Sequence, residues 1–333
     1  MNGRAFDRNK KIKRIIFVSV ALILVVAMLL VIRKWEKKRS LFDGEAHDWK
    51  PNDVFEYNGQ QYELRQDVET ILIMGLDKFG ETIDYTSYNN DQQADFLMLL
   101  VVDHGARSCS AIHLNRDTIA EITVLGVGGK KAGTVKQPLA LAHTYGSGGN
   151  DSCRNTVEAV SKLMYNLPID HYMSLTMDAV QILNDLVGGV TVTVLDDFSG
   201  VDDSLKQGET VTLLGETALT YVRSRYGVGD SGNVSRMARQ QQYMTEFYNQ
   251  TRRYIKEHEE FSSDAMLKIA EYMVSDCSVT HMDKLSNDIL EYQPCDFYTI
   301  DGELIVGDEY MEFYLDDNAV KDILVKLFYK VKD

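Results

Sequence analysis

The stretch DFLMLLVVDHGARSCSAIHLNRDT, Asp95–Thr118, decides the fold. Between Asp95 and Asp103 the chain is wholly apolar, and Ser108–Leu114 is a second run of similar character. Short apolar runs bounded by polar residues read as strands buried in a sheet. The polar Asn115-Arg116-Asp117-Thr118 ends the second one. Upstream, Thr70–Gly75 predicts a further core strand that ends in Gly75-Leu76-Asp77, and polar Phe79–Gln92 reads as a long loop between the strands. Further out, Val54–Leu64 alternates around Asn58-Gly59, the dipeptide that favours a two-residue hairpin turn.

Downstream the period changes. Gly126–Gly133 reads as a Gly/Lys-rich loop and Leu139–His143 as a short helix. Ser152–Tyr165 places Val157, Val160, Leu163 and Met164 at helical spacing, and Pro168 stops it. Ile169–Leu175 reads as a strand, Met177–Leu186 as a helix closed by Gly188-Gly189, and Val190–Leu195 as a β-branched strand. Helices follow over Gly215–Val222, Arg236–Glu259, Ser263–Val274, Asp283–Leu290 and Asn318–Tyr329, with a hairpin turn at Asp301-Gly302. Strands and helices alternate without an internal repeat, which predicts one α/β domain with helices on both faces of a central sheet.

The chain has 333 residues, 44% of them hydrophobic and 26% charged, an ordinary globular composition that excludes a disordered or fibrous protein. Residues 1–39 hold 11 Lys/Arg against 2 Asp/Glu, which leaves 24 against 48 for residues 40–333. So acidic a body repels a nucleic-acid backbone, and any polyanion must be met by a local basic cluster. Ile15–Ile32 is an apolar run of 18 residues with Ser19 its only mildly polar member. It is long enough to span a membrane and has Lys10, Lys11, Lys13 and Arg14 before it and Arg33, Lys34, Lys37, Lys38 and Arg39 after it. A cleaved signal peptide is the competing reading, but charged residues follow the run where a small-residue cleavage site belongs. The expected organisation is therefore a cytoplasmic tail (1–14), a transmembrane helix (15–32), a juxtamembrane linker with the hairpin (33–65), and an extracellular domain (66–333).

The cysteines, Cys109, Cys153, Cys277 and Cys295, form no Cys-x-x-Cys pair. A Cys277–Cys295 disulfide across the Asp283–Leu290 helix and four buried thiols are both open readings. The seven histidines show no metal-ligand spacing, so a zinc enzyme is not expected.

The chemistry-bearing residues fall into two groups. Asp77 and Asp95 lie at the ends of predicted core strands, and Arg116 lies just past another. Arg223, Arg225, Arg236 and Arg239 are close together in sequence. Arg223 and Arg225 point the same way in extended chain, and Arg236, Arg239, Gln240 and Tyr243 share one helix face. That face begins at a helix N-terminus, where unpaired N–H groups and the dipole favour anions, and the guanidinium fork suits phosphate oxygens. Two carboxylates beside such a cluster suit Mg²⁺, which takes one or two carboxylates plus phosphate oxygens and water. The alternative is a set of surface arginines paired with the abundant acids, and aspartates that merely cap strands.

In order along the chain run Ile73-Met74-Gly75-Leu76-Asp77, Ala94-Asp95, Asn115-Arg116-Asp117-Thr118, His143-Thr144-Tyr145-Gly146, Leu186-Val187-Gly188-Gly189-Val190, Ala218-Leu219-Thr220-Tyr221-Val222-Arg223-Ser224-Arg225, and Arg236-x-x-Arg239-Gln240-Gln241. Together they resemble the LytR-CpsA-Psr (LCP) family over residues 70–245. The resemblance implies a three-layer α/β/α sandwich with a central mixed sheet and a pocket for a polyprenyl tail. It implies an anchored, outward-facing phosphotransferase of the cell membrane of Gram-positive bacteria. Such an enzyme moves an anionic glycopolymer, teichoic acid or capsule, from an undecaprenyl pyrophosphate carrier to a peptidoglycan hydroxyl as a phosphodiester. Carried over residue by residue, Asp77 and Asp95 match the magnesium ligands. Arg116, Arg223, Arg225 and Arg236 match the pyrophosphate-binding arginines, and Gln240 the neighbouring glutamine. Arg239, on the same helix face, is added to the pyrophosphate set on its spacing.

The sequence departs from the family pattern at four places: Gln93 replaces an arginine, Asn115 a proline, Asn233 an aspartate and Ser235 a glycine. Arg116, Arg223 and Arg225 are the expected catalytic cations, with Asp117 or one of the metal aspartates as base for the acceptor hydroxyl. The rivals are a lipid-pyrophosphate hydrolase, in which water is the acceptor, and a non-catalytic surface sensor that retains the pocket. Ile71–Met74, Phe96–Val102 and Met177–Leu186 are the candidate lining of a lipid slot. Other signals carry less: Gly229-Asp230-Ser231-Gly232 lacks the companions of a serine protease, Gly126–Lys131 fails the P-loop pattern, and Asp196-Asp197 and Asp202-Asp203 read as solvated turns.

Overall fold

The computed structural model describes residues 54–80, 92–126, 129–258, 260–307 and 310–332. The expected transmembrane run, the linker and most of the 79–92 loop lie outside the described residues. Among the described residues no helix is long and apolar enough to cross a membrane.

The strands are β1 (Val54–Tyr57), β2 (Gln60–Leu64), β3 (Val68–Leu76), β4 (Ala94–Asp103), β5 (Ser108–Leu114), β6 (Ile119–Leu125), β7 (Lys131–Pro138), β8 (His171–Leu175), β9 (Val190–Thr193), β10 (Thr210–Leu213), β11 (Met273–Ser275), β12 (Asp296–Thr299), β13 (Gly302–Val306), β14 (Met311–Leu315) and β15 (Tyr329–Val331). The helices are α1 (Leu141–Thr144), α2 (Gly149–Leu163), α3 (Met177–Leu186), α4 (Gly215–Arg223), α5 (Asn233–Ile255), α6 (Phe261–Ile269), α7 (Val279–Glu291) and α8 (Asp317–Phe328).

Six strands form the central sheet in the order β11-β8-β3-β4-β5-β12. It is mixed: β3 pairs parallel with β8 and β5 with β12, while the other pairs are antiparallel. The alternation of side chains along each strand splits the apolar residues into two layers. Leu72 and Met74 of β3, Leu97 and Leu99 of β4 and Ile112 of β5 face a core that includes Val160 of α2 and Leu324 of α8. Ile71 and Ile73 of β3, Leu100 of β4 and Met173 of β8 face the opposite way, toward α3, α6 and α7. A satellite core sits between the β9–β10 hairpin, α4 and α5, around Phe198 and Tyr221. The expected three-layer sandwich is present.

Several local expectations change. Gly126–Gly133 is not simply a loop: β6 and β7 pair around it, and Lys131–Gly133 already belongs to β7. The Ser263–Val274 helix stops at Ile269, passes through a 3₁₀ turn, and becomes strand β11. The turn at Asp301-Gly302 is no hairpin, because β13 pairs with β14 while β12 pairs with β5. The β1–β2 hairpin, grouped above with the linker, belongs to the body: β2 pairs with β15, and Phe55 packs against Tyr165 and Tyr329. Asn58 and Gly59 both take positive φ, 51° and 73°, as their turn requires.

The disulfide joins Cys109 to Cys295, not Cys277 to Cys295. It ties the residue before β12 to β5, so a short edge strand is held covalently to the sheet. Closing a loop of 186 residues is worth ~2–4 kcal/mol in the usual range for such links. Cys153 and Cys277 remain as thiols.

Candidate functional site

The C-terminal end of β3 and the N-terminal end of β4 are antiparallel neighbours, and the Asp77 amide donates to the Gln93 carbonyl at 3.0 Å. This pairing brings Asp77 and Asp95, 18 positions apart, to the same edge of the sheet. Arg116, two residues beyond the end of β5, reaches across and pairs with Asp95 Oδ1, while its Nη2 donates to Gln93 Oε1 at 2.8 Å. Arg236, in the first turn of α5, pairs from the other side, Nη1 to Asp95 Oδ2 at 3.2 Å. Arg223, the last residue of α4, donates to Asp77 Oδ1 from both Nε, at 3.1 Å, and Nη2, at 2.8 Å. Its guanidinium also lies over the Phe79 ring, 5.3 Å from the centroid. Arg225 lies against the Tyr226 ring and donates to its hydroxyl.

Two of the departures from the family pattern meet here. Asn233 Nδ2 donates to Asn115 Oδ1 at 2.8 Å, and Asn233 Oδ1 accepts from Arg236 Nε and Nη2 at 3.2 and 2.6 Å. Asn115 Oδ1 also accepts from the Asp117 amide. A neutral amide thus holds the buried Arg236 guanidinium, so none of its positive charge is cancelled from that side. Gln93 uses its carbonyl oxygen in the same way toward Arg116. Ser235 lies apart, donating to Asp230 at 2.6 Å.

Asp117 is buried, and burial raises its carboxyl above the usual range although Arg116, Arg236 and Arg225 pull the other way. Its Oδ1 is 3.4 Å from Arg116 Nε. Nearby, burial lowers the His113 ring to about 4, with the Arg236 charge adding to the effect, so this imidazole is neutral.

Arg239 does not join the cluster. Its side chain is 0% exposed. Nη1 donates to the Tyr221 carbonyl at 2.7 Å, Nη2 to the Ser224 carbonyl, and Nε ion-pairs with Asp196 at 2.9 Å. The guanidinium stacks against Phe198. Arg239 therefore fixes the end of α4, the segment that presents Arg223 and Arg225, and Asp196 is its counter-charge and not a solvated turn residue. Gln240 acts alongside it, donating to the Val222 carbonyl at 3.1 Å. The helical spacing that grouped Arg236, Arg239 and Gln240 was right about the face; the neighbours of that face assign different work to each residue.

An apolar groove opens at this cluster, with Asp95, Arg223, Arg236 and Gln240 among its lining. Ile73, Phe96, Met177, Val180 and Leu183 line it from the sheet and α3, within the stretches expected to do so, and Tyr243, Met244 and Phe247 of α5 close it. A second hollow shares Ile73, Met244 and Phe247 and runs on toward Met98, Leu100 and the Cys109–Cys295 link. The α5 lining was missed in the sequence reading; its signal was Tyr243, Met244 and Phe247 on the face that continues from Arg236 and Gln240.

The structure thus defines an α/β/α sandwich in which an arginine–aspartate cluster opens on an apolar groove. A family model agrees: residues 34–328 match the LytR_cpsA_psr family, and the chain is a member of it. Among curated relatives, polyisoprenyl-teichoic acid–peptidoglycan teichoic acid transferase TagU of Halalkalibacterium halodurans is 32% identical over 177 residues, 53% of this chain and 51% of that one. The Bacillus subtilis TagU is 27% identical over 185 residues, 56% of this chain and 53% of that one. The chain thus spans about half the length of the curated relatives it matches. Of solved structures, B. subtilis TagV superposes with a TM-score of 0.60 at 22% identity, covering 79% of this chain and 97% of that one. TagT bound to LIIa-WTA gives 0.59 at 20% identity, covering 79% and 90%. These likenesses establish the fold.

The two kinds of arginine should separate in one experiment. Arg239→Ala leaves Asp196 and two carbonyls unpaired in the interior, and loss of a partner from a buried ion pair costs ~3–5 kcal/mol. The expected result is a large drop in melting temperature for Arg239→Ala, with Arg239→Lys restoring little, and an unchanged melt for Arg225→Ala. Equal melts for both alanine variants would contradict the assignment.

Proposed function

We propose that the protein transfers an anionic glycopolymer, of the teichoic acid or capsule type, from a polyprenyl pyrophosphate carrier to a hydroxyl of peptidoglycan. The observation that carries this reading is the opening of the apolar groove directly onto the arginine–aspartate cluster. A pyrophosphate held by Arg116, Arg223, Arg225 and Arg236 would leave a prenyl tail nowhere to go but the groove. Each Å² of apolar surface buried there adds ~25 cal/mol. The TagU relatives, named for transferring teichoic acid to peptidoglycan, and the structural neighbour TagT, solved with LIIa-WTA, support the same substrate class.

In this structure Arg116, Arg223 and Arg236 are paired with Asp77 and Asp95. When their donors turn to phosphate oxygens, both carboxylates lose their counter-charges. Adjacent carboxylates of that kind are a hard-oxygen donor set that fits Mg²⁺, and Asp77 and Asp95 are the residues that would hold it. When bound, the ion would supply further neutralisation of phosphate oxygens. The acceptor hydroxyl attacks the phosphorus that carries the glycopolymer, the bond to the lipid phosphate breaks, and lipid monophosphate leaves. Asp117 takes the hydroxyl proton: its raised affinity for protons makes it a better base than an ordinary aspartate once ionised. The arginines stabilise the charge that shifts to the leaving phosphate, and one such donor is typically worth ~10²–10³ in rate. The proposal also places residues 40–333 outside the cell membrane, anchored by Ile15–Ile32.

Three measurements test it. Incubated with a lipid-pyrophosphate-linked glycan, a peptidoglycan acceptor and Mg²⁺, the detergent-solubilised full chain should form the conjugate, and Arg223→Ala and Arg225→Ala should each lose ~10²-fold or more. The acid limb of the rate should lie above 3.8, the ordinary aspartate value, and disappear in Asp117→Asn. Release of free glycan phosphate without conjugate would instead identify a hydrolase. In calorimetry, prenyl pyrophosphate affinity should rise with tail length, and Mg²⁺ should bind only with the pyrophosphate present; affinity independent of tail length would remove the groove from the site. Finally, protease added to intact spheroplasts should digest the body, and full protection would refute the outward placement.

A further inference from the structure

Far from the arginine cluster, at the opposite end of β3, the fold gathers three histidines, a thiol and two carboxylates. Glu69 of β3, His171 at the start of β8, Asp276 and Cys277 just after β11, His281 in the first turn of α7, and His104 after β4 are drawn from five separate segments. Eight residues of strand separate Glu69 from Asp77, on the order of 25 Å, so this cluster is independent of the phosphate site.

The arrangement has the anatomy of a metal centre. A ligand atom from each of His171, Cys277 and His281 lies within 4.8 Å of the other two. Glu69 Oε1 adjoins the two histidines, 2.5 Å from His281 Nε2 and 3.9 Å from His171 Nε2. Both imidazoles therefore present Nε2 to one carboxylate oxygen, and their rings lie 5.0 Å apart. The groups behind them orient this inner set. His104 Nε2 holds the other Glu69 oxygen at 3.2 Å, and its Nδ1 contacts the Tyr292 hydroxyl at 3.0 Å. Asp276 Oδ1 lies 3.5 Å from His171 Nδ1, a buried nitrogen with no hydrogen-bond partner, and also accepts from the Tyr172 amide. Carboxylates placed behind ligating histidines are what fixes their tautomer at metal sites.

The disulfide is what leaves this site its sulfur. Cys295 is committed to Cys109, so Cys277 keeps a thiol one residue before the N-cap of α7.

We propose that His171, Cys277, His281 and Glu69 bind one Zn²⁺. Two imidazole nitrogens and one thiolate are borderline-to-soft donors that favour zinc over Mg²⁺ or Ca²⁺, and the carboxylate completes a tetrahedral shell of four. Metal–ligand bonds of ~2.0–2.3 Å put tetrahedral ligand atoms ~3.3–3.8 Å apart, so the His171, Cys277 and His281 donors need to close by ~1 Å and Glu69 Oε1 to back away from His281 Nε2. With all four positions taken by protein, the site is structural: it pins β3, β8 and the β11–α7 segment together in the β8–β11 half of the sheet, away from the β5–β12 edge that the Cys109–Cys295 link ties.

The test uses the full-length chain in detergent, stripped of metal and then titrated with Zn²⁺ or Co²⁺. One equivalent of zinc should remain after dialysis and raise the melting temperature. Cobalt should give the intense visible bands of tetrahedral coordination together with a thiolate charge-transfer band. Cys277→Ser should remove the charge-transfer band, and His104→Gln, which acts only through Glu69, should weaken zinc by ~10-fold. The Asp77→Asn/Asp95→Asn chain should keep its zinc, which distinguishes this site from the phosphate site. A wild-type cobalt spectrum without the thiolate band would overturn the proposal. So would full zinc retention in Cys277→Ala/His281→Ala.

Discussion

Asp95 is held between two guanidinium groups, Arg116 on one oxygen and Arg236 on the other, with its side chain only 13% exposed. The three residues come from the start of β4, the turn after β5 and the first turn of α5, so this one carboxylate ties the sheet to the long helix. Removing a charge from such a site leaves two cations facing each other in a partly desolvated place, which is why the arrangement is all or nothing. Everything functional hangs on it. The position of α5 sets the apolar wall of the groove, and the register of β3 against β4 sets where Asp77 and Arg223 meet.

The site keeps its charge by being paired with itself. Without ligand, cations and anions of the cleft neutralise one another, which lets a body with a large acidic excess hold buried arginines. The amides at Asn115, Asn233 and Gln93 contribute hydrogen-bond acceptors with no net charge, so they orient Arg116 and Arg236 without competing with an anionic ligand. An aspartate in place of Asn233 would hold Arg236 more strongly and make it less available to phosphate. These departures from the family pattern thus make a coherent set, with Asn115 and Asn233 bonded to each other.

Arg239 and Arg236 show how far a shared helix face can be trusted. They are three residues apart on α5, and both are buried. Arg236 meets Asp95 at the open cleft, while Arg239 meets the carbonyls of Tyr221 and Ser224 and the Asp196 carboxylate. One meets a carboxylate at the open cleft and the other holds the segment that presents Arg223 and Arg225. The distinction depends on what α4 and the segment after β9 place opposite each turn of the helix, and nothing in the local pattern of α5 contains it.

The sequence by itself determined the core strands β3, β4, β5 and β8, the helices α2, α3 and α5, the family, and the residues of the arginine–aspartate site. Each of these is written in local periodicity or in short motifs whose side chains must sit at fixed spacing. It also implied a three-layer sandwich, because strands buried on both faces need helices on both. What it left open is what depends on closure between distant segments. The pairing of Cys109 with Cys295 follows from the parallel register of β12 on β5, and the turn at Asp301-Gly302 fails as a hairpin for the same reason. The edge strands β11 and β12 are too short to carry a pattern of their own. The histidines looked unrelated along the chain because 67 residues separate His104 from His171 and 110 separate His171 from His281. Only the tertiary structure brings them to one carboxylate, since β3, which carries Glu69, pairs directly with β4, which His104 follows, and with β8, which His171 begins, and α7 sets His281 against Glu69.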